Sequence, residues 1–461
     1  MKKIINNKYR YLVLVPIVIN FLINIFNSEV IIPIKIVNPY TLVATVLLFL
    51  FLLQLGSAIQ KIFQLNTISI SIVIYLTSIF IFDFLSLFIS QVFTFHQNFI
   101  LMNIIWIIIF LKNKDTRINL LLSTVALFAL NVFNLNFRSL LDKNKNLTGD
   151  VEMYFFPQAK QIFENSYFYS ITNPVTEGYP QFISYLHSSL FKIGFIKSEI
   201  FEYFSQTTTI FFLLMILFFL ELNISTLNKF ALSIIYFSLI MNSEWLSYLF
   251  SNSLMSESIA SYFFVVILKS LLDHIEQKNQ FIILLFFSGW MIFSKQFIST
   301  LILLTLLYLC IYKKSFKYFV TAFLPFLINE IAYLFHFKNI VKDHHYTQID
   351  IRDTLFDLFL LRDLDIYNIG TIFNNLLLDK PFSLVFFTAL IFSVCQLFFI
   401  DSNRQVSLIY FLIFIINTSL VVILYISAWR NMELESPIRY FLTLVGLYFL
   451  IIFRENESKV I

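Results

Sequence analysis

Residues 40–59 read YTLVATVLLFLFLLQLGSAI, a run of twenty residues without a single charged side chain. An α-helix needs about 20 apolar residues to cross the hydrocarbon core of a bilayer. The rest of the chain has the same character, since 59% of the 461 residues are hydrophobic and only 13% are charged. In soluble proteins, roughly a quarter of all residues are charged. We therefore predict an all-α integral membrane protein.

Further apolar runs, separated by short polar clusters, follow along the whole chain. They predict a polytopic protein with about 12–14 transmembrane helices in a single domain that covers residues 1–461. The first run follows the basic start MKKIINNKYR and has no small-residue cleavage site, so we interpret it as a retained signal anchor. The predicted crossings lie near 11–27, 40–59, 68–90, 98–111, 118–134, 206–223, 230–248, 257–272, 281–294, 297–311, 318–336, 381–400, 406–426 and 440–453.

The distribution of Lys and Arg predicts the orientation, because short basic loops stay in the cytoplasm. With the N-terminus inside, most of these residues fall in inner loops, whereas the short outer loops hold only Lys35, Lys295, Arg430 and Arg439. Both termini are then cytoplasmic, and we expect the protein in a bacterial inner (plasma) membrane. Two long segments, 135–205 and 337–380, fall on the periplasmic or extracellular face.

The first outer loop, 135–205, contains an acidic motif followed by two short amphipathic stretches. The motif is Gly149-Asp150-Val151-Glu152, and two carboxylates at membrane level are costly unless they have a function. The stretches 154–165 and 180–195 are predicted to form helices that lie in the membrane interface. The apolar residues expected to face lipid are Tyr154, Phe155, Ile162 and Phe163 in the first helix and Phe182, Leu186, Leu190 and Ile193 in the second.

Composition also excludes several classes of function. Cys310 and Cys395 lie inside apolar runs, which argues against a disulfide framework or a cysteine metal site. The basic residues form no patch that would bind nucleic acid. His344 and His345 are adjacent on a charged loop, where solvated side chains are the simpler interpretation.

Several short motifs, all on the predicted outer side, resemble those of the GT-C superfamily of polytopic glycosyltransferases. The first outer loop carries Asp150 and Glu152, the 154–165 helix and then Gly178-Tyr179-Pro180. Later crossings begin or end at Ser256-Glu257-Ser258, Ser294-Lys295-Gln296 and Glu435-Ser436-Pro437-Ile438-Arg439-Tyr440. The resemblance implies a GT-C-like fold and transfer of a sugar from a polyprenyl-phosphate donor to a lipid, glycan or protein acceptor.

The resemblance also implies catalytic roles. Asp150 would act as the general base on an acceptor hydroxyl, although an aspartate at this position could equally cap the following helix. Glu152 would either share a divalent metal with Asp150, orient that base, or simply lie exposed in the loop. The metal requirement stays open, and no other cofactor is implied.

Two cations are candidates for binding the donor phosphate. Lys295 and Arg439 lie at outer ends of crossings, where they would stabilise the departing polyprenyl phosphate; the alternative is contact with lipid headgroups. Glu435 is spaced to pair with Arg439 in a helical turn. The remaining candidates, assigned to the substrate cleft, are Tyr179, Pro180, Glu257 and His187.

Two other functions remain open. A flippase or transporter of lipid-linked saccharides would need ionisable residues inside the membrane, and Asp83 is the clearest one. A glycan ligase or polymerase would use a large outer loop rich in Arg and His, for which 337–380 is the candidate segment.

Overall fold

The computed structural model describes the chain between residues 39 and 453, with gaps. The described residues are 39–89, 94–137, 156–166, 169–170, 175, 182–194, 205–242, 256–290, 305–340, 370, 372, 374, 380–400, 404–427 and 444–453. Within these ranges the backbone forms helices and short turns and contains no β-strand. The predicted all-α class is therefore confirmed for the part of the chain that is described.

The helices follow the predicted crossings closely from 40–59 onward, while the crossing near 11–27 lies outside the described residues. Residues 305–312 are also helical. A 3-10 turn, Lys114–Thr116, separates α3 from α4. In chain order the helices are α1 Pro39–Phe63, α2 Ile68–Ile89, α3 Phe95–Lys112, α4 Arg117–Phe137, α5 Phe156–Glu164, α6 Phe182–Gly194, α7 Ser205–Glu221, α8 Thr226–Asn242, α9 Ser256–Asp273, α10 Lys278–Trp290, α11 Phe316–Ile340, α12 Lys380–Cys395, α13 Arg404–Ser427 and α14 Val445–Phe453.

Four helical stretches among the described residues are long and apolar enough to cross a membrane: Pro39–Phe63, Ile68–Leu85, Phe95–Lys112 and Lys114–Phe137. The last two leave most of their surface uncovered by protein. Ile118, Phe128 and Leu135 of α4 are 64%, 70% and 68% exposed. Contiguous apolar surface of this kind is rare in soluble monomers. The hydrocarbon chains of a bilayer would cover it. The structure therefore supports membrane-spanning helices in this part of the chain.

The chain divides into two compact units. The first unit, residues 36–221 and 251–347, contains α1–α7 and α9–α11. The second unit includes residues 222–250 and 348–461 and contains α8 and α12–α14. The prediction that residues 1–461 form one domain stays a prediction.

In the first unit, α1 packs antiparallel against α4 along its length. At the predicted inner end, the Lys61 ammonium donates to Oδ1 of Asn119 at 2.9 Å. At the predicted outer end, the rings of Tyr40 and Phe137 stack with centroids 5.4 Å apart. Contacts at both ends join residues that the charge rule assigns to the same side of the membrane, so the antiparallel threading agrees with the predicted topology.

The ends of helix α9 do not match those of α2 in the same way. The Tyr262 hydroxyl, six residues after the start of the helix, donates to the carbonyl of Ser69 at 3.2 Å. Ser69 lies at the start of α2, which the charge rule places at the inner side. Helix α9 is therefore shifted or tilted relative to α2.

The core of the second unit is formed by aromatic rings. Tyr448 of α14 packs against Phe386 of α12 and Phe414 of α13, with ring centroids 5.6 and 5.4 Å away. Gln396 follows α12 and donates from its side-chain amide to the carbonyl of Ile451 at 2.8 Å. This buried hydrogen bond fixes the position of α14 against α12.

The two short helices of the first outer loop exist as predicted, but their apolar faces are buried in protein. Ile162 and Phe163 of α5 are 0% and 1% exposed. The four predicted lipid-facing residues of α6 are also buried: Phe182, Leu186, Leu190 and Ile193. The prediction that these faces contact lipid is therefore wrong for the described residues, while Tyr154 and Phe155 lie outside them. Protein and lipid are equally apolar partners for such a face, and here α2, α4 and α5 enclose α6.

Candidate functional site

The predicted site residues fall mostly outside the described part of the chain. This applies to seven of them: Asp150, Glu152, Tyr179, Pro180, Lys295, Glu435 and Arg439. Glu257 is the second described residue of α9, and its side chain is not described. His187 is described and lies in the middle of α6. Described residues close to Pro180, Glu257 and Lys295 lie in α6, α9 and α10.

Several of these neighbours meet in one aromatic cluster of the first unit. Phe80 of α2 lies at its centre, with its ring centroid 5.1 Å from Phe182 and 6.2 Å from Trp290. The ring of Phe263 packs on Phe182 at 5.9 Å. We call these residues, together with Phe84, Phe95 and Tyr185, the Phe80 cluster.

The Phe80 cluster joins chain segments that lie far apart in sequence. Phe182 follows Pro180 by two residues, Trp290 precedes Lys295 by five, and Phe263 follows Glu257 by six. Edge-to-face aromatic pairs contribute about 0.5–1.5 kcal/mol each beyond the burial of their surface. The described neighbours of three predicted site segments are thus held in one packed region.

A layer of buried polar side chains lies between α5 and α6. The Ser184 hydroxyl donates to Oε1 of Gln158 at 2.9 Å. One helical turn later, the Ser188 hydroxyl donates to the carbonyl of Ala159 at 2.7 Å. Buried polar groups are costly without hydrogen bonds, so these pairs hold the two helices in one register.

Helix α6 is also anchored to α4 and α2. The side-chain amide of Asn134 in α4 donates to the carbonyl of Gly194 at 2.5 Å, which satisfies the last turn of α6. The Tyr185 hydroxyl donates to the carbonyl of Ile79 in α2 at 3.2 Å. These bonds fix α6 at both of its faces and give the region little freedom to repack.

Asp83 is a buried carboxylate in α2, a helix long and apolar enough to span a membrane. It is 1% exposed and accepts a short hydrogen bond from the side-chain amide of Asn98 in α3. Intramembrane carboxylates are expensive and usually paired or functional. The Asn98 amide supplies one such pairing and also connects α2 to α3.

His187 is enclosed on all sides. Its side chain is fully buried, and burial lowers the pKa of the imidazole to about 3. The ring is therefore neutral at physiological pH. A direct contact between His187 and an acceptor would need an opening that the described residues do not provide, so the described geometry does not support a place for it in an open cleft.

Two further polar residues, one from α6 and one from the start of α3, pack against the same aromatic ring of α5. Lys192 is partly buried and its ammonium lies 5.9 Å from the centroid of the Phe163 ring. His96 packs edge-on against the same ring at 4.9 Å. Burial lowers the pKa of Lys192. These residues combine a cation with an imidazole on the predicted outer side.

No motif in the sequence marks His96, Lys192, Gln158 or Ser184 as candidate site residues. The spacing of Ser184 and Ser188 by four residues was the available signal for a polar face on α6. Lys192 was visible as a lysine in an apolar amphipathic stretch. Nothing in the sequence indicated which ring it would approach, because that depends on the packing of α3 against α5.

The described residues contain no group of three or more His, Cys, Asp or Glu side chains that could bind a metal ion. The acidic motif that could share a divalent metal, Asp150 and Glu152, lies outside them. A metal therefore remains a prediction about that motif.

Comparison with protein-family models, with curated proteins and with solved structures finds no match for this chain.

Proposed function

We propose that this chain is an inverting glycosyltransferase that transfers a sugar from a polyprenyl-phosphate donor to an acceptor at the outer face of the membrane. The observation that supports it is the Phe80 cluster. It holds the described neighbours of Pro180, Lys295 and Glu257 in one packed region of the first unit. These three positions belong to motifs predicted on the same side of the membrane from the distribution of charge.

The proposed chemistry is a single displacement. The acceptor hydroxyl attacks the anomeric carbon of the donor sugar while Asp150 takes the hydroxyl proton. The bond between that carbon and the phosphate oxygen breaks, and the polyprenyl phosphate leaves with the electron pair. Lys295 stabilises the negative charge that develops on the phosphate. Arg439 and Glu435 stay predictions from sequence for the same type of role.

The test is a transfer assay with purified protein in nanodiscs, supplied with labelled polyprenyl-phosphate sugars and a panel of lipid, glycan and protein acceptors. Removal of a general base typically lowers the rate by about 10²–10⁴-fold. We therefore expect Asp150→Asn to lose at least about 100-fold in transfer rate, while the amount of folded protein recovered stays unchanged.

Asp115→Asn is the matched control. Asp115 lies exposed in the 3-10 turn between α3 and α4, on the predicted inner side, so the same substitution removes a carboxylate from the opposite face. Its transfer rate should equal that of the unmodified protein. Near-normal transfer by Asp150→Asn would remove the base assignment, and no transfer from any polyprenyl-phosphate sugar would remove the proposal itself.

A transporter of lipid-linked saccharides is the second candidate, favoured by the buried carboxylate of Asp83 in a membrane-spanning helix. The same nanodisc preparation, reconstituted into liposomes, separates the two functions. A transporter moves a labelled lipid-linked saccharide between leaflets without changing it chemically, and Asp83→Asn should reduce that movement. A glycosyltransferase consumes the donor and forms a new glycosidic bond.

A further inference from the structure

Lys192 is a partly buried cation in the last turn of α6. Among the described residues it forms no ion pair, and its ammonium lies 5.9 Å from the centroid of the Phe163 ring. A cation over an aromatic ring gains only about 0.5–2 kcal/mol. Its neighbour Lys160 on α5, by contrast, is more exposed and pairs with Glu164. Lys192 is therefore positioned to accept an anion from outside the chain.

His96 provides a second polar group at the same place. It is the second residue of α3, next to the Thr94 capping box that starts the helix. Its ring and the ammonium of Lys192 lie 4.9 and 5.9 Å from the centroid of the same Phe163 ring. Within the described part of the chain, Nδ1 of His96 has no hydrogen-bond partner. The start of α3, where His96 lies, favours a negatively charged ligand, and Lys192 in the last turn of α6 adds a positive charge.

An apolar track begins directly below this pair. Residues at spacings of three and four lie on one face of a helix, and those that follow His96 on its own face are exposed to the membrane. Ile100, Ile104, Ile107 and Leu111 are 53%, 45%, 41% and 50% exposed. The track runs the length of α3, from the predicted outer end to the predicted inner end. A hydrocarbon chain lying along it would have its head group beside His96 and Lys192.

We propose that His96 and Lys192 bind the phosphate of polyprenyl phosphate, with the polyprenyl chain lying along the exposed face of α3. The inference rests on the proposed function and names a site for the released polyprenyl phosphate, separate from Lys295, which acts on the phosphate during transfer. A phosphate monoester carries about −1.5 to −2 charges near neutral pH, whereas the donor, a diester, carries one. Two adjacent nitrogen-bearing side chains suit the monoester, and a single helix face suits a single-chain lipid better than a diacyl phospholipid.

The test uses the full chain in phosphatidylcholine nanodiscs that contain a diazirine-bearing polyprenyl monophosphate. Irradiation and peptide mass spectrometry should locate the label within 100–111 of α3. A hydrogen bond to a charged group contributes about 1.5–3 kcal/mol, so Lys192→Gln should reduce labelling at least about tenfold. Lys192→Arg should retain it, and His96→Gln should reduce it independently.

Lys160→Gln is the matched control, because Lys160 lies on neighbouring α5 but has an acidic partner of its own; its labelling should be unchanged. Unlabelled polyprenyl phosphate should compete for the site, whereas polyprenol, inorganic phosphate and phosphatidylglycerol should not. Equal competition by phosphatidylglycerol, or normal labelling in Lys192→Gln and His96→Gln, would overturn the inference. The assay contains no sugar and no acceptor, so its outcome is independent of whether Asp150→Asn abolishes transfer.

Discussion

Replacing Glu221, the last residue of α7, should destabilise the start of α2. Its carboxylate binds the start of α2 with both oxygens. The backbone amides of Ile68 and Ser69 donate to it at 2.5 and 3.0 Å, and the Ser69 hydroxyl donates at 2.6 Å. The first amides of a helix have no partner within the helix. Glu221 supplies that partner and joins two helices that are about 150 residues apart in sequence.

The perturbation is Glu221→Gln, which keeps the size of the side chain but removes its charge and one acceptor oxygen. Hydrogen bonds to a charged group contribute about 1.5–3 kcal/mol each, and at least one of the three is lost. A negative charge at a helix N-terminus contributes roughly another 0.3–1 kcal/mol. The start of α2 should therefore lose about 2–4 kcal/mol of local stability.

The assay is hydrogen–deuterium exchange of the purified protein, followed at the first turn of α2. A local loss of about 2 kcal/mol corresponds to an increase of about 30-fold in exchange rate. Glu276→Gln is the matched control, since Glu276 forms an exposed ion pair with Lys313 at the same predicted side. Such pairs contribute about 0–1 kcal/mol. If the two variants exchange equally in α2, the carboxylate does not stabilise the helix start as argued.

Two more predictions concern packing and pH. Gly289→Ala should destabilise the protein by about 1–3 kcal/mol, because a Cβ there would lie 2.2 Å from the carbonyl oxygen of Ala322. The control is Gly370→Ala, where a Cβ would have no atom within 4 Å. Gly289→Ala should lower the thermal unfolding midpoint, and Gly370→Ala should leave it nearly unchanged. His187 has a folded pKa of about 3, below its unfolded value of about 6.5, so its contribution to stability is complete above pH 6.5 and falls as the pH is lowered toward 3. Between pH 7 and 5 this loss is about 2 kcal/mol. His187→Gln should remove that part of the pH dependence, and an unchanged dependence would show that other groups cause it.

The positions of the helices could be predicted from the sequence because twenty uncharged residues have few alternatives to a helix in a bilayer. The run at 40–59 became α1, extended by one and four residues at its ends. The environment of α6 could not be predicted in the same way. An amphipathic stretch indicates that one face avoids water, but the same pattern serves a lipid surface and a protein interior.

The candidate site was less predictable than the fold. Asp150 and Lys295 are candidates because of their charge and their place in a motif. Both properties can be read from the sequence without knowing how the helices pack. His96 and Lys192 are 96 residues apart, and their proximity depends on how α5 and α6 dock against α3. Contacts of that kind follow from tertiary packing, so no local pattern in one sequence can indicate them.

The enclosure of α6 has a consequence for biogenesis. Helices α1–α4 leave the ribosome before it, so the surface that receives α6 can assemble during insertion, before residue 182 has been synthesised. Until α6 arrives, Phe80 has no contact with the Phe182 ring and Asn134 has no Gly194 carbonyl to donate to. A nascent chain stalled in the preceding loop would therefore leave the apolar surface that receives α6 incomplete, and exposed surface of that kind promotes aggregation.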